Sequence, residues 1–296
     1  MATPGAAVGL PRPAGGSGSA RAAWRRFRRH RGGLFGLAIV ALLVAVAVLA
    51  PVLAPHDPFT TSRNAFLPPL ASDAHPLGTD HLGRDLLSNL IWGARVSLIV
   101  GVAAALTATV IGVIVGAFAG YAGGRSDELL MRVTEFFQVI PRFVLALIVV
   151  AFFGSGLVNL VLVIGLLSWP QTARLVRSQY LSHKTMQYVD AGRALGMGDL
   201  RLIFAEILPN VMAPVLVVTS LDVAQAILLE ASLGFFGLGD PNQPSWGAML
   251  NAAQGYIRRA WWMSVFPGLG ISLAVLGFNL LGDGLTEAYD PRMRVR

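Results

Sequence analysis

The sequence predicts an all-α membrane protein with six transmembrane helices and both termini on the cytoplasmic side. Three observations carry that expectation. Hydrophobic residues make up 54% of the 296 positions and charged residues 13%, against about 25% charged in soluble domains. Such a chain cannot cover itself with polar side chains. The apolar residues gather into segments, the first of them close to the roughly twenty residues that a bilayer core requires. The basic residues are spread unevenly between the intervening loops, as they are when cytoplasmic flanks keep the excess of Lys and Arg.

Residues 1–32 read as a basic cytoplasmic tail without stable structure. Its beginning is rich in Ala, Gly, Pro and Ser, too poor in apolar side chains to fold. Arg21, Arg25, Arg26, Arg28, Arg29 and Arg31 follow, with Trp24 and Phe27 between them. A basic run with aromatics suits nucleic acid or a membrane flank. The apolar stretch directly after it favours the flank, so lipid and not nucleic acid is the expected neighbour. Residues 33–95 hold the first span, Leu34–Leu53, and a polar outer loop. That span exceeds the about 7–15 apolar residues of a signal-peptide core and is read as an uncleaved anchor. In the loop, His75 and His81 stand near Asp80 and Asp85. Without a ligand spacing such as H-E-x-x-H, turn and capping roles are expected there and no metal site.

Residues 96–285 form the predicted five-helix core. Its spans are Val96–Ala119, Leu130–Phe153 with Pro141 inside it, Val158–Trp169 ending near Pro170, Val211–Phe236 and Val265–Leu281. The stretch from Gly237 to Trp262 is expected as a loop, and residues 286–296 as a second cytoplasmic tail. With the N-terminus inside, seventeen of the 23 basic residues fall on the cytoplasmic side and five outside, with Arg142 within a span. This asymmetry accounts for the net charge of +7. Gly101, Gly112, Gly116 and Gly120 give the second span a face of small residues, which lets helices approach closely in lipid.

Charge inside a bilayer costs about 2.5–3.5 kcal/mol per group and faces protein or water. Glu135, Asp222 and Glu230 are therefore candidates for the lining or gate of a path. Glu135 and Arg142 are seven residues apart, and Asp222 and Glu230 eight, so each pair would share one face of a straight helix. For Asp222 a path role and a structural role stay open; for Glu230 a structural tie to the outer loop is favoured. Asp283 falls at the end of the last span. No catalytic residue is expected. Cys is absent, Lys184 is the sole lysine, and no G-x-x-x-x-G-K-[ST] loop is present to cradle nucleotide phosphates.

The longest polar interruption on the expected cytoplasmic side is Tyr188–Asn210, YVDAGRALGMGDLRLIFAEILPN, within residues 180–210. It reads as two short helices. The first stops at Gly196, which accepts a left-handed conformation. The second starts behind Asp199, a capping side chain. Pro209 marks the step into the next span. Ala191, Gly192, Ala194 and Gly196 leave little side-chain bulk. This stretch resembles the EAA loop of permease subunits of binding-protein-dependent ABC importers, with the pattern EAA, three residues, Gly, nine residues, I-x-L-P. Ala191, Gly196, Leu208 and Pro209 match in register. Asp190 stands for Glu, Gly192 for the second Ala, and Glu206 for the usual Ile. His75–Leu98, the Glu230–Gly239 run, Trp246-Gly247, Phe266-Pro267-Gly268 and Gly282-Asp283-Gly284-Leu285 are similar to the peptide and nickel branch of that family.

The resemblance implies a type I importer permease fold in the bacterial inner membrane. It further implies a second homologous permease subunit as heterodimer partner, an extracytoplasmic binding protein, and two ATPase subunits or a fused pair. ATP and Mg would be bound by those partners, with no cofactor in this subunit. The ATPase-coupling residues it implies are Tyr188, Asp190, Ala191, Gly192, Arg193, Ala194, Leu195, Gly196, Leu208 and Pro209. Dipeptides or oligopeptides are the expected cargo, with glutathione, haem and nickel complexes as alternatives. A rival reading is an ion-driven secondary transporter, which would show inverted repeats; no clear repeat is visible. An intramembrane enzyme would need facing catalytic groups, and no His lies inside a span.

Overall fold

The structure, a computed structural model, describes residues 16–289, with side chains from residue 22. The described residues are helical apart from loops and one isolated bridge between Thr79 and Asp85. In chain order the helices are α1 (Gly16–Phe27), α2 (Arg31–Val48), α3 (Ala50–Leu53), α4 (Leu86–Ala122), α5 (Gly124–Val139) and α6 (Arg142–Phe153). They continue with α7 (Leu157–His183), α8 (Gln187–Ala194), α9 (Asp199–Arg201), α10 (Leu208–Phe235), α11 (Trp246–Ala253) and α12 (Trp262–Tyr289). A π-helical turn, Leu202–Ile207, joins α9 to α10. Among the described residues five helical stretches are long and apolar enough to cross a membrane, and α5 with α6 makes a sixth if the bent pair counts as one crossing.

Several elements differ from the sequence expectation. Residues 16–27 of the expected unstructured tail form α1, whose Phe27 is buried with Ala23 and Ala288; residues 1–15 and 290–296 lie outside the described residues. The second span starts ten residues early, because Asp85 accepts the Ser88 N–H and so caps α4 at Leu86. The third span is not one helix. It bends by 83° between α5 and α6. Pro141 has no N–H to continue the ladder, and it holds Ile140 in an extended conformation (φ −85°, ψ 130°). Glu135 and Arg142 therefore sit on two differently directed helices and share no face. Pro170, by contrast, does not end the fourth span: α7 runs through it to His183. One lost backbone bond is outweighed there by packing along α4. The expected loop after residue 237 contains α11, capped by Ser245.

Helix α4 is the axis of the bundle. Gly112, Gly116 and Gly120 set its backbone against α7 so closely that an added Cβ would stand 2.7 Å from Thr172 Cβ, 2.4 Å from the Ala173 carbonyl oxygen and 2.6 Å from Tyr180 Cβ. Gly101 meets Ile227 of α10 in the same way. The small face read from the sequence is thus the α4 contact surface. Helices α4 and α7 run in parallel, and α5 with α6 returns the chain between them. At one end the bundle is closed by indole hydrogen bonds, from Trp246 Nε1 to the Leu90 carbonyl and from Trp262 Nε1 to the Thr79 carbonyl, both 3.1 Å. At the other end lie the start of α2, the end of α12 and the chain between α7 and α10; there His30 Nε2 is 3.2 Å from Glu287 Oε2.

Candidate functional site

The chain between α7 and α10 is built on an apolar floor. Val189, Ile203 and Ile207 are buried with Val176, Tyr180 and Val211, and Leu202 is buried as well. The Tyr180 hydroxyl donates to the Ile203 carbonyl at 2.9 Å, satisfying a backbone acceptor in the π-helical turn. This turn precedes Pro209, which occupies the first turn of α10, where a missing N–H costs nothing. Arg177 of α7 grips Asp127 of α5 with two hydrogen bonds, one of 2.6 Å from Nη2. The two helices are thereby tied below the loop.

Helix α8 ends as its sequence predicts. Leu195 is the last capping residue and Gly196 has φ +76°. The Gly196 N–H reaches the Arg193 carbonyl at 2.9 Å and the Met197 N–H reaches the Gly192 carbonyl at 3.0 Å, the paired bonds of a Schellman ending. Around it, Asp190, Ala191, Arg193, Ala194, Leu195 and Gly196 are exposed, as is Pro209. Tyr188 and Leu208 are half-buried. Leu195 is 78% exposed and Leu200 63%, so two large apolar side chains stand in the open beside small ones. Arg193 pairs with Asp190 at 3.1 Å and lies over the Tyr121 ring. The Tyr188 hydroxyl meets His183 Nδ1 at 3.0 Å, and burial pushes its phenol pKa up.

Two details of this loop depart from the sequence reading. Gly192 is not part of the open surface: it is buried, and a Cβ there would stand 2.8 Å from Leu202 Cδ2. Its smallness lets α8 lie on the π-helical turn. Asp199 does not cap the second helix. Gly198 is the capping residue, and the Asp199 carboxylate accepts the Tyr121 hydroxyl at 2.6 Å, pinning the loop to the end of α4.

The three membrane carboxylates are placed differently from one another. Glu230 is 1% exposed and accepts the Ser97 hydroxyl at 2.9 Å, joining α10 to α4. Asp222, also buried, accepts the Thr172 hydroxyl at 3.1 Å, joining α10 to α7. Glu135 is exposed on α5. Beside Asp222, Arg142 at the bend lines an open cavity with Phe143, Ser168, Gln225, Leu228, Leu229 and Ser232. Sequence reasoning singled out Arg142 but left out Ser168, Gln225 and Ser232. Gln225 and Ser232 follow Asp222 at helical spacing, a signal available in the chain; Ser168 enters only through the fold.

A bundle of membrane-crossing helices with carboxylates held inside it and a rigid loop offered at one end has the plan of a membrane transport permease. Residues 108–295 match the family described as binding-protein-dependent transport system inner membrane component, and residues 20–69 match the N-terminal transmembrane domain of oligopeptide transport permease C. The chain belongs to the binding-protein-dependent transport family of inner-membrane components. It is 43% identical over 277 residues to a di/tripeptide transport system permease protein of Pseudomonas aeruginosa, covering 92% of this chain and 91% of the relative. The dipeptide transport system permease protein of Escherichia coli is 42% identical, with 92% of each chain covered. A glutathione transport system permease protein of Pectobacterium atrosepticum is 40% identical, covering 92% of this chain and 90% of the relative.

Proposed function

We propose that this chain is the permease subunit of an ATP-driven importer that moves dipeptides or oligopeptides across the bacterial cytoplasmic membrane. Both termini and the α7–α10 loop face the cytoplasm in this reading, which the charge asymmetry supports. Separate ATPase subunits, which bind ATP and Mg, grip the loop through Ala191, Ala194, Leu195 and Gly196. A second permease subunit completes the path, and a binding protein delivers cargo at the opposite end. The single observation that carries the reading is the exposed Leu195 on a helix whose underside is locked to the bundle. A docking face must be apolar enough to bind and rigid enough to transmit force. Nucleotide-driven closure then biases a two-state bundle through that face.

Within the path, Asp222 and Arg142 supply opposite charges near one cavity, suited to the two ends of a zwitterionic peptide. Glu230 acts as a gate tie between α4 and α10, and Glu135 lies at the mouth beyond the bend. Glutathione is the alternative cargo, favoured by the relative from Pectobacterium. The test uses proteoliposomes of the full complex. Leu195→Asp should abolish ATPase co-purification and peptide uptake while leaving the permease in the membrane. A normal ATPase complex from that variant would remove the loop from the coupling role. Competition of labelled dipeptide uptake by glutathione separates the two cargoes.

A further inference from the structure

Three separate pieces of chain converge where α4 begins. His56 follows α3, His75 opens the turn that closes at Gly78, and Asp85 caps α4. His75 Nδ1 lies 3.0 Å from Asp85 Oδ1, and His56 Nδ1 lies 3.8 Å from Asp85 Oδ2. The imidazole centroids are 4.9 Å apart. One donor atom from each of the three residues falls within 4.8 Å of the other two. The Asp85 side chain is 1% exposed, that of His75 13% and that of His56 39%. The cluster is therefore closed on the Asp85 side and open to solvent at His56.

Its geometry is held from outside. Ser88 donates to Asp85 Oδ2 twice, from N at 2.8 Å and from Oγ at 2.7 Å. The His56 N–H in turn donates to Ser88 Oγ at 3.0 Å. These bonds fix the carboxylate plane and the backbone that carries His56. They leave Oδ1 free of Ser88 and turned toward His75, with His56 beside Oδ2.

We propose that His56, His75 and Asp85 form a binding site for a divalent transition ion of the Zn2+ type. Two imidazoles and one carboxylate are a donor set for Zn2+, Co2+ or Ni2+, whereas Ca2+ and Mg2+ take oxygen ligands. Two ligands bonded to one Zn2+ stand about 3.4 Å apart at the tetrahedral angle. The His75–Asp85 pair opens by about 0.4 Å to reach that separation, and His56, whose donor atom lies within 4.8 Å of the other two, swings inward to complete the set. The half-exposed His56 has room to make this move. The Ser88 bonds are the outer partners that orient a ligating carboxylate. The fourth position faces solvent and takes water or a donor atom from a partner. The ion would staple the chain leaving α3 to the first turn of α4, at the end of the bundle opposite the α7–α10 loop. The site stands on its own residues and does not depend on the transport reading.

The test is a metal titration of the full chain, purified in detergent without a polyhistidine tag and stripped with chelator. One equivalent of Co2+ should give the visible absorption of a tetrahedral site, and Zn2+ should displace it. His56→Ala and Asp85→Asn should each weaken binding at least about tenfold. Asn remains a good helix cap, so Asp85→Asn should keep the parent's helical content. His81→Ala should bind as the parent does. A parent chain that takes up no Co2+ shows that the three residues are only a hydrogen-bonded cap, and overturns the site. So does parent-like affinity in both ligand variants.

Discussion

At the scale of single residues, the loop depends on one backbone angle. Gly196 has φ +76° with open space around the position of a Cβ. The obstacle to substitution is thus conformational rather than steric, about 1–2 kcal/mol for a residue with a Cβ in the left-handed region. Gly196→Val should leave membrane insertion unchanged and weaken ATPase co-purification. Capture of the normal amount of ATPase by that variant would refute the role of the turn. Glu230 presents the opposite case, a fully buried carboxylate whose value lies in its partner. Glu230→Gln preserves an acceptor for Ser97 and should lower thermal stability little. Glu230→Leu leaves Ser97 unsatisfied and should cost about 1–3 kcal/mol, read as a fall in unfolding temperature in detergent. Gly196 was legible in the sequence because a helix stop is a local matter. The Glu230–Ser97 pair was not, since its members are 133 residues apart.

At the scale of elements, proline behaves according to its surroundings. Pro141 breaks the third crossing by 83°, whereas Pro170 lies buried within an unbroken α7. The local chemistry is the same in both; what differs is how much of the flanking helix is packed. The long α4–α7 contact holds α7 straight across its missing bond. That contact is itself testable. Gly116 brings α4 within 2.4 Å, measured from a notional Cβ, of the Ala173 carbonyl. Gly116→Val must push the helices apart, and overpacking of this kind costs about 1–3 kcal/mol. The expected outcome is a lower unfolding temperature and reduced yield of folded permease. Unchanged stability would mean that the two helices are not pressed together there.

At the scale of the whole molecule, the packing of five apolar helical stretches and the bent α5–α6 pair puts the start of α2, the α7–α10 loop and the end of α12 at one end. The cluster around Asp85 and the Trp246 and Trp262 indoles lies at the other. The chain contains no Cys, so single cysteines can be introduced without first removing native ones. A Cys at position 195 should react with a membrane-impermeant maleimide only in inverted vesicles, and a Cys at position 73 only in intact spheroplasts. Labelling with the reverse pattern would invert the proposed topology and move the docking loop to the wrong side of the membrane.

The amino-acid pattern by itself determined that the chain lives in a membrane, where its apolar segments fall, where its polar loop lies and where that loop turns. Each of these follows from composition or from residues close together in the chain, where apolar length and backbone preference act directly. Tertiary structure alone decided that Pro141 bends a crossing and Pro170 does not, that Gly192 is covered while Leu195 is open, and that Asp199 bonds Tyr121 instead of capping its own helix. It also brought His56 to His75 and Asp85. These outcomes are competitions between a local preference and a distant partner, and the partner's position is set only when the helices pack.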